Sequence, residues 1–250
     1  MDTSKLRDDT REVWEVLRDS PLLAGFVLIG GTALTLRIGH RISEDLDFAY
    51  FGGARLPRRR IEALAAEAKT HGITMRLNQS PLALEEFLES GLDLADYQMN
   101  YVAIDTVKVT FVRLDELPNR VFEGNQPAGP LRVATIAEIF ETKCFVCADR
   151  SKTRDWFDLW VLMTQHGYTI DDFYQVFQKY DAANKFAIAA MRLRSGRPDP
   201  GDEGYEQLLT AAPTLPELTN FFVRGLDELE VQLAAKAFRA IQRDPKFDVD

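Results

Sequence analysis

Residues 26 to 51 read Phe-Val-Leu-Ile-Gly-Gly-Thr-Ala-Leu-Thr-Leu-Arg-Ile-Gly-His-Arg-Ile-Ser-Glu-Asp-Leu-Asp-Phe-Ala-Tyr-Phe. The apolar run Phe26 to Ile29 meets the pair Gly30-Gly31, and Thr32-Ala33-Leu34 continues in helix-compatible residues. Bare backbone N–H groups at a helix N-terminus make a seat for phosphate. Farther on, Asp45 and Asp47 stand two apart, flanked by Ile42, Leu46, Phe48 and Tyr50. In a strand, such residues project to one face, roughly 6.5–7 Å apart, so the two carboxylates point together. Their repulsion calls for water or a cation, and Mg²⁺ takes one or two carboxylates plus phosphate oxygens. Each half alone has a plain structural reading, a turn and a solvated strand end. Together they predict metal-assisted phosphoryl or nucleotidyl transfer, because the helix between them returns the carboxylates toward the glycine turn.

Working outward, Leu6, Thr10, Val13, Trp14 and Leu17 give residues 3 to 19 one apolar helical face, ended near Ser20-Pro21. Ile42 to Phe51 is the expected carboxylate strand, stopped by Gly52-Gly53. Pro57 opens a helix with Ile61, Leu64, Ala65 and Ala68 inward and Gly72 as terminator. Ile73 to Gln79 alternates as a strand, and residues 82 to 95 form a weaker helix candidate. Tyr97 to Ile104 and Val107 to Leu114 read as a hairpin joined by Asp105-Thr106. Proline and glycine between Asn119 and Pro130, Pro127 among them, mark a boundary. Beyond it the pattern is helical, with capping boxes at Thr135/Glu138 and Thr214/Glu217 and a loop from Ser195 to Gly204.

The chain has 250 residues, 46% hydrophobic and 28% charged, enough to bury a full core in one large or two small domains. No apolar run reaches membrane-spanning length, and Met1-Asp2-Thr3-Ser4-Lys5 lacks a signal-peptide core, so the expected location is cytoplasmic, without membrane contact. Net charge of −9 argues against wholesale nucleic-acid coating, although Arg55, Arg58, Arg59 and Arg60 leave room for a local basic rim. Cys144 and Cys147, with His40, His71 and His166 scattered, read as free thiols rather than a zinc or redox site.

Gly30-Gly31-Thr32-Ala33-Leu34, followed by Gly39 through Phe48, resembles the first motif of the AbiEii-type nucleotidyltransferases. These are the toxins of type IV toxin–antitoxin and abortive-infection systems, in the DNA polymerase β-like superfamily. Lys143 and then Arg154-Asp155-Trp156-Phe157-Asp158-Leu159 resemble the second motif, and the likeness covers about residues 24 to 165. It implies an α+β fold, with a small mixed-sheet nucleotidyltransferase core at residues 1–120 and an all-helical domain at 131–250.

The resemblance also implies roles. Asp45 and Asp47 would hold Mg²⁺; Gly30, Gly31 and Thr32 would cradle phosphate, with Arg41 and Ser43 at further motif positions. Lys143 would act as a point charge on the nucleotide phosphates, Asp158 would assist the attacking hydroxyl or orient Lys143, and Arg154 and Asp155 would form a supporting pair. On one continuous helix over residues 136 to 160, Lys143, Cys147, Arg150, Arg154 and Asp158 would share a stripe, although Asp149-Arg150-Ser151-Lys152 is a candidate break. The third carboxylate that many superfamily members carry is replaced by Thr110. The implied reaction moves NMP from an NTP to an acceptor, with the 3′ end of tRNA leading and a protein hydroxyl or an antibiotic as alternatives. A cognate antitoxin is the implied partner. A silent nucleotide-binding module or a purely structural α/β domain are the readings from other classes, and oligomeric state is not given by the sequence.

Overall fold

A computed structural model describes residues 1–125 and 129–242, in two compact units, Met1–Thr142 and Lys143–Asp250. In the first unit the order is α1 (Asp8–Leu17), β1 (Phe26–Ile29), α2 (Gly30–Ile38), β2 (Leu46–Tyr50), α3 (Arg58–Thr70) and β3 (Met75–Leu77). It continues with α4 (Pro81–Glu89), β4 (Gln98–Ala103), β5 (Val107–Val112), α5 (Glu116–Arg120), β6 (Arg132–Val133) and the start of α6 (Ile136–Asp149). The six strands form one sheet in the order β3-β4-β5-β2-β1-β6. Pairs β1/β2, β4/β5 and β3/β4 are antiparallel and β2/β5 and β1/β6 parallel, so the sheet is mixed as the α+β reading requires.

Alternation along the strands sorts the two sheet faces. Phe26, Phe48, Phe111 and Tyr101 share one face; Phe48 stacks on Phe111 at 5.4 Å, while Phe26 and Tyr101 meet the Phe111 ring edge-on. Helices α1 and α3 contribute Val13, Trp14, Leu17, Ile61 and Leu64 to the buried core. This core dominates the unit's stability, since each buried aromatic ring contributes about 2–3 kcal/mol. The opposite face carries Val27, Ala49 and Asp47 on β1 and β2, then the half-exposed Thr110 and Asn100 on β5 and β4.

Two expectations change. The carboxylate strand runs only over Leu46–Tyr50, because Ser43 is drawn aside to pair with the N-terminal segment: its N–H donates to Lys5 at 3.1 Å and its carbonyl accepts from Arg7 at 3.2 Å. Asp45 therefore stands at the strand's entrance rather than in it. Sheet pairing also continues past the Pro/Gly boundary, where Arg132–Val133 add β6 beside β1; Pro127 itself lies outside the described residues. The candidate break at Asp149-Arg150-Ser151-Lys152 is present and separates α6 from α7 (Thr153–Gln165).

The second unit is helical among its described residues, with α7, α8 (Ile170–Lys179), α9 (Ala183–Ser195) and α10 (Leu215–Gln242) following the end of α6. The single helix over 136 to 160 is interrupted at Arg150–Lys152. Asp199 accepts from the Ser151 N–H at 2.7 Å, and Asp202 accepts from the Thr153 hydroxyl at 2.5 Å, so an acidic loop satisfies backbone and side-chain donors at the break. Both expected capping boxes form: Thr135 N–H donates to Glu138 at 2.8 Å, and Thr214 N–H to Glu217 at 2.8 Å.

Candidate active site

One group of the sequence-predicted site residues lies in the first unit, where β1 runs directly into α2. Gly30 is the first residue of α2, with φ of +72°, and no side chain caps this helix start. A β-carbon on Gly30 would stand 3.0 Å from Asp47 Oδ2, and one on Gly31 would collide with the Arg41 guanidinium. Bare backbone is thus required on both sides, by a carboxylate against Gly30 and a cation against Gly31. The antiparallel register places Ile29 opposite Asp47, which brings that carboxylate to the helix start.

The loop between α2 and β2 is tied back to the helix. Gly39, at φ +61°, ends α2 and reverses the chain. Thr35 Oγ1 donates to the Arg41 carbonyl at 3.2 Å, and Thr32 Oγ1 donates to the Asp45 carbonyl. Thr32 and Ser43 hydroxyls meet at 2.6 Å, both buried. Their side chains fix the position of Asp45, which leaves bare backbone at Gly30-Gly31. Arg41 is buried, with Nη1 donating to the Ile42 carbonyl at 3.0 Å, so its charge is held beside the glycines. Asp45 and Asp47 are half-buried and carry hard oxygen donors of the kind Mg²⁺ takes.

In the second unit, Lys143 on α6 reaches Asp155 Oδ1 at 2.5 Å and Asp158 Oδ2 at 2.6 Å, and Arg150 Nε reaches Asp155 Oδ2 at 2.9 Å. Asp155 and Asp158, three apart on α7, face the same way. Lys143 is 6% exposed, Asp155 3% and Asp158 0%, so these charges are buried and must stay paired. Burial acts to raise the Asp155 carboxyl, but Lys143 and Arg150 outweigh it and hold it below the usual range.

Asp155 is the residue the sequence reading misplaced. Its expected partner, Arg154, instead donates from Nε to the Gly204 carbonyl at 2.8 Å and pairs with Glu203 at 3.2 Å. The signal was the Asp-x-x-Asp spacing itself, which puts both acids on one helix face. In the arginine cluster, Arg58 pairs with Asp93 and Asp96, Arg55 pairs with Asp96 but stays exposed, Arg60 donates to the Ala24 carbonyl at 2.7 Å while lying over Phe26 and Tyr50, and Arg59 is exposed. Cys144 and Cys147 form no disulfide and are buried; burial pushes the Cys147 thiol far up.

Compared with known proteins, residues 13–248 match the family described as "Nucleotidyl transferase AbiEii toxin, Type IV TA system". An uncharacterised protein of Aquifex aeolicus, aq_aa25, is 26% identical over 226 residues, covering 90% of this chain and 97% of that protein. Among solved structures, JHP933 from Helicobacter pylori is 21% identical, with 93% and 94% of the two chains covered and a TM-score of 0.45. MenT4, a nucleotidyltransferase toxin from Mycobacterium tuberculosis, is 12% identical over 87% and 94%, at a TM-score of 0.32. With nearly its whole length matched to the family, this chain belongs to the AbiEii nucleotidyl transferase toxins of type IV toxin–antitoxin systems and is a nucleotidyltransferase.

Proposed function

We propose that the protein transfers NMP from an NTP to the 3′ end of tRNA and thereby inhibits translation, using Mg²⁺ held by Asp45 and Asp47. The observation that carries this reading is the Asp47 carboxylate lying against Gly30 at the uncapped start of α2. A carboxylate and a phosphate seat side by side form an arrangement that needs a cation between like charges. The donor set fits Mg²⁺, because the two half-buried carboxylates of Asp45 and Asp47 offer hard oxygens and would leave coordination positions for phosphate oxygens. When bound, the metal neutralises charge on the triphosphate and the leaving pyrophosphate.

The chain's own groups then divide the work. The N–H groups of Gly30 and Gly31 bind phosphate oxygens, and Arg41 adds a fixed positive charge beside them. Thr32 and Ser43 hold Asp45 in place. Lys143 supplies positive charge to the nucleotide phosphates, and Asp158, fully buried and ion-paired to Lys143, orients that ammonium. Arg154 braces the segment at Glu203 and Gly204. Among the described residues no helix is long and apolar enough to cross a membrane, and a cognate antitoxin is the proposed genetic partner.

The test incubates purified protein with Mg²⁺, each α-labelled NTP in turn, total tRNA and cell extract, beside Asp47→Asn. Label on tRNA from the native protein, reduced about 10²-fold or more in the variant, is the expected result. Label on a protein band or a small molecule, with tRNA unlabelled, would overturn the acceptor assignment. Unchanged transfer by Asp47→Asn would overturn the role of the carboxylate pair.

A further inference from the structure

Thr110 is the in-register neighbour of Asp47 on the parallel strand β5, and Asn100 is the in-register neighbour of Thr110 on β4. Strand spacing sets the backbones of Thr110 and Asn100 at about 5 and 10 Å from that of Asp47, all three side chains on one face. The three are half-exposed, whereas Phe48, Phe111 and Met99, which follow or precede them by one residue, are buried on the other face. A row of neutral hydrogen-bonding groups therefore leads away from the Asp47 carboxylate.

This row is braced. The Gln79 side chain donates to the Gln98 carbonyl at 2.8 Å and accepts from the Asn100 N–H at 3.1 Å, filling the ladder beyond the end of β3. Gln98 Nε2 donates to Asn100 Oδ1 at 3.0 Å, which fixes the amide's orientation. The Asn100 Nδ2 donors and the Thr110 hydroxyl have no hydrogen-bond partner among the described residues. Lys108, two residues before Thr110, brings an exposed positive charge to the same face.

Resting on the transfer reaction proposed above, we infer that Thr110 and Asn100 bind the acceptor, and that they take the vicinal 2′,3′-diol of an RNA terminus. Each diol hydroxyl donates and accepts, matching a threonine hydroxyl beside an amide donor. A polyamine-like acceptor would instead call for carboxylates here, and Lys108 would repel it. In the transfer, the 3′ oxygen bonds to the α-phosphorus of the NTP, the bond between that phosphorus and the bridging oxygen breaks with its electrons leaving on pyrophosphate, and the hydroxyl proton passes to water. A site that hydrogen-bonds both hydroxyls discriminates against an RNA lacking one.

The test uses the full chain with two tRNA preparations, ending in ribose or in 2′-deoxyribose, and measures acceptor KM and NTP KM separately. Native protein is expected to show an acceptor KM about tenfold higher for the 2′-deoxy end, with NTP KM unchanged. Asn100→Ala and Thr110→Val should raise the KM for the ribose end about tenfold and shrink the preference, again with NTP KM unchanged. Thr110→Val keeps the β-branched shape, so it reads the hydroxyl even where Asn100→Ala lowers stability. Native protein that uses both RNA ends equally, or variants that keep the preference, would overturn the inference while leaving tRNA transfer intact. Native protein that labels no RNA would overturn both readings.

Discussion

Asp47 Oδ2 fills the space that a side chain on residue 30 would need, lying 3.0 Å from where a β-carbon on Gly30 would be built. The two residues meet because β1 and β2 are antiparallel with Ile29 opposite Asp47, so the last strand residue and the first helix residue both border the carboxylate. Requirement for glycine at position 30 is thus double, through contact and through its positive φ.

Gly30→Ala is expected to cost about 1–3 kcal/mol from the left-handed backbone alone, and to displace Asp47 enough to lower transfer about 10²-fold. Denaturant unfolding and label transfer read the two effects separately. Gly31→Ala acts through Arg41 instead: its buried guanidinium must move, so stability falls without any φ penalty. Wild-type unfolding and activity in both variants would refute the geometry.

Lys143 holds two buried carboxylates, and Lys143→Ala leaves them facing each other. The expected loss is about 3–5 kcal/mol, the range for breaking a buried ion pair from one side. Lys143→Ala combined with Asp158→Asn should recover part of it, giving a coupling of about 1 kcal/mol or more in a double-mutant cycle. Additive effects would show that the three charges do not act as a unit. Any activity lost in Lys143→Ala must be compared with its unfolding curve before a catalytic role is drawn from it.

Acid stability should follow Asp155. Its folded-state pKa lies below the usual 3.8, so the native state binds fewer protons than the unfolded chain in that range. The stabilisation is full above the unfolded value and is lost as pH falls through the folded one. Asp155→Asn should therefore flatten the acid limb of urea midpoints below pH 3.8. Arg150→Gln should move the limb to higher pH, because it removes one of the cations holding the carboxylate down. Glu138 in the first unit runs the same way: burial acts to raise it and Arg132 lowers it below 4.5, so part of the slope survives in either variant.

The thiols should be silent in the native protein. Cys144 and Cys147 have no exposed surface, and burial, followed by the nearby Asp155, disfavours the Cys147 thiolate. A thiol-alkylating reagent at neutral pH should modify neither until denaturant unfolds the chain. Rapid stoichiometric labelling of the folded protein would contradict this packing.

Local chemistry carried much of the fold in the sequence. Alternation marked β4 and β5, Gly72 ended α3, and Thr135 with Glu138 opened α6, because periodicity, left-handed backbone and capping are properties of neighbours in the chain. Non-local competition was not written there. Ser43 leaves the carboxylate strand because Lys5 and Arg7 offer other backbone partners, and α6 stops where Asp199 and Asp202 satisfy groups some fifty residues away. Arg154 likewise has Glu203 and Gly204 as partners rather than its neighbour Asp155.

The sequence by itself determined the family and the chemical parts: a glycine pair, two carboxylates, and a lysine followed by two acids at helical spacing. Tertiary structure decided which parts meet. Strand register put Asp47 against Gly30 and Thr110 beside Asp47, and a broken helix let Lys143 sit between Asp155 and Asp158. The physical reason is that residue type sets what a group can do, while register and burial set its partners, and a charge is stable in the interior only where those partners are supplied.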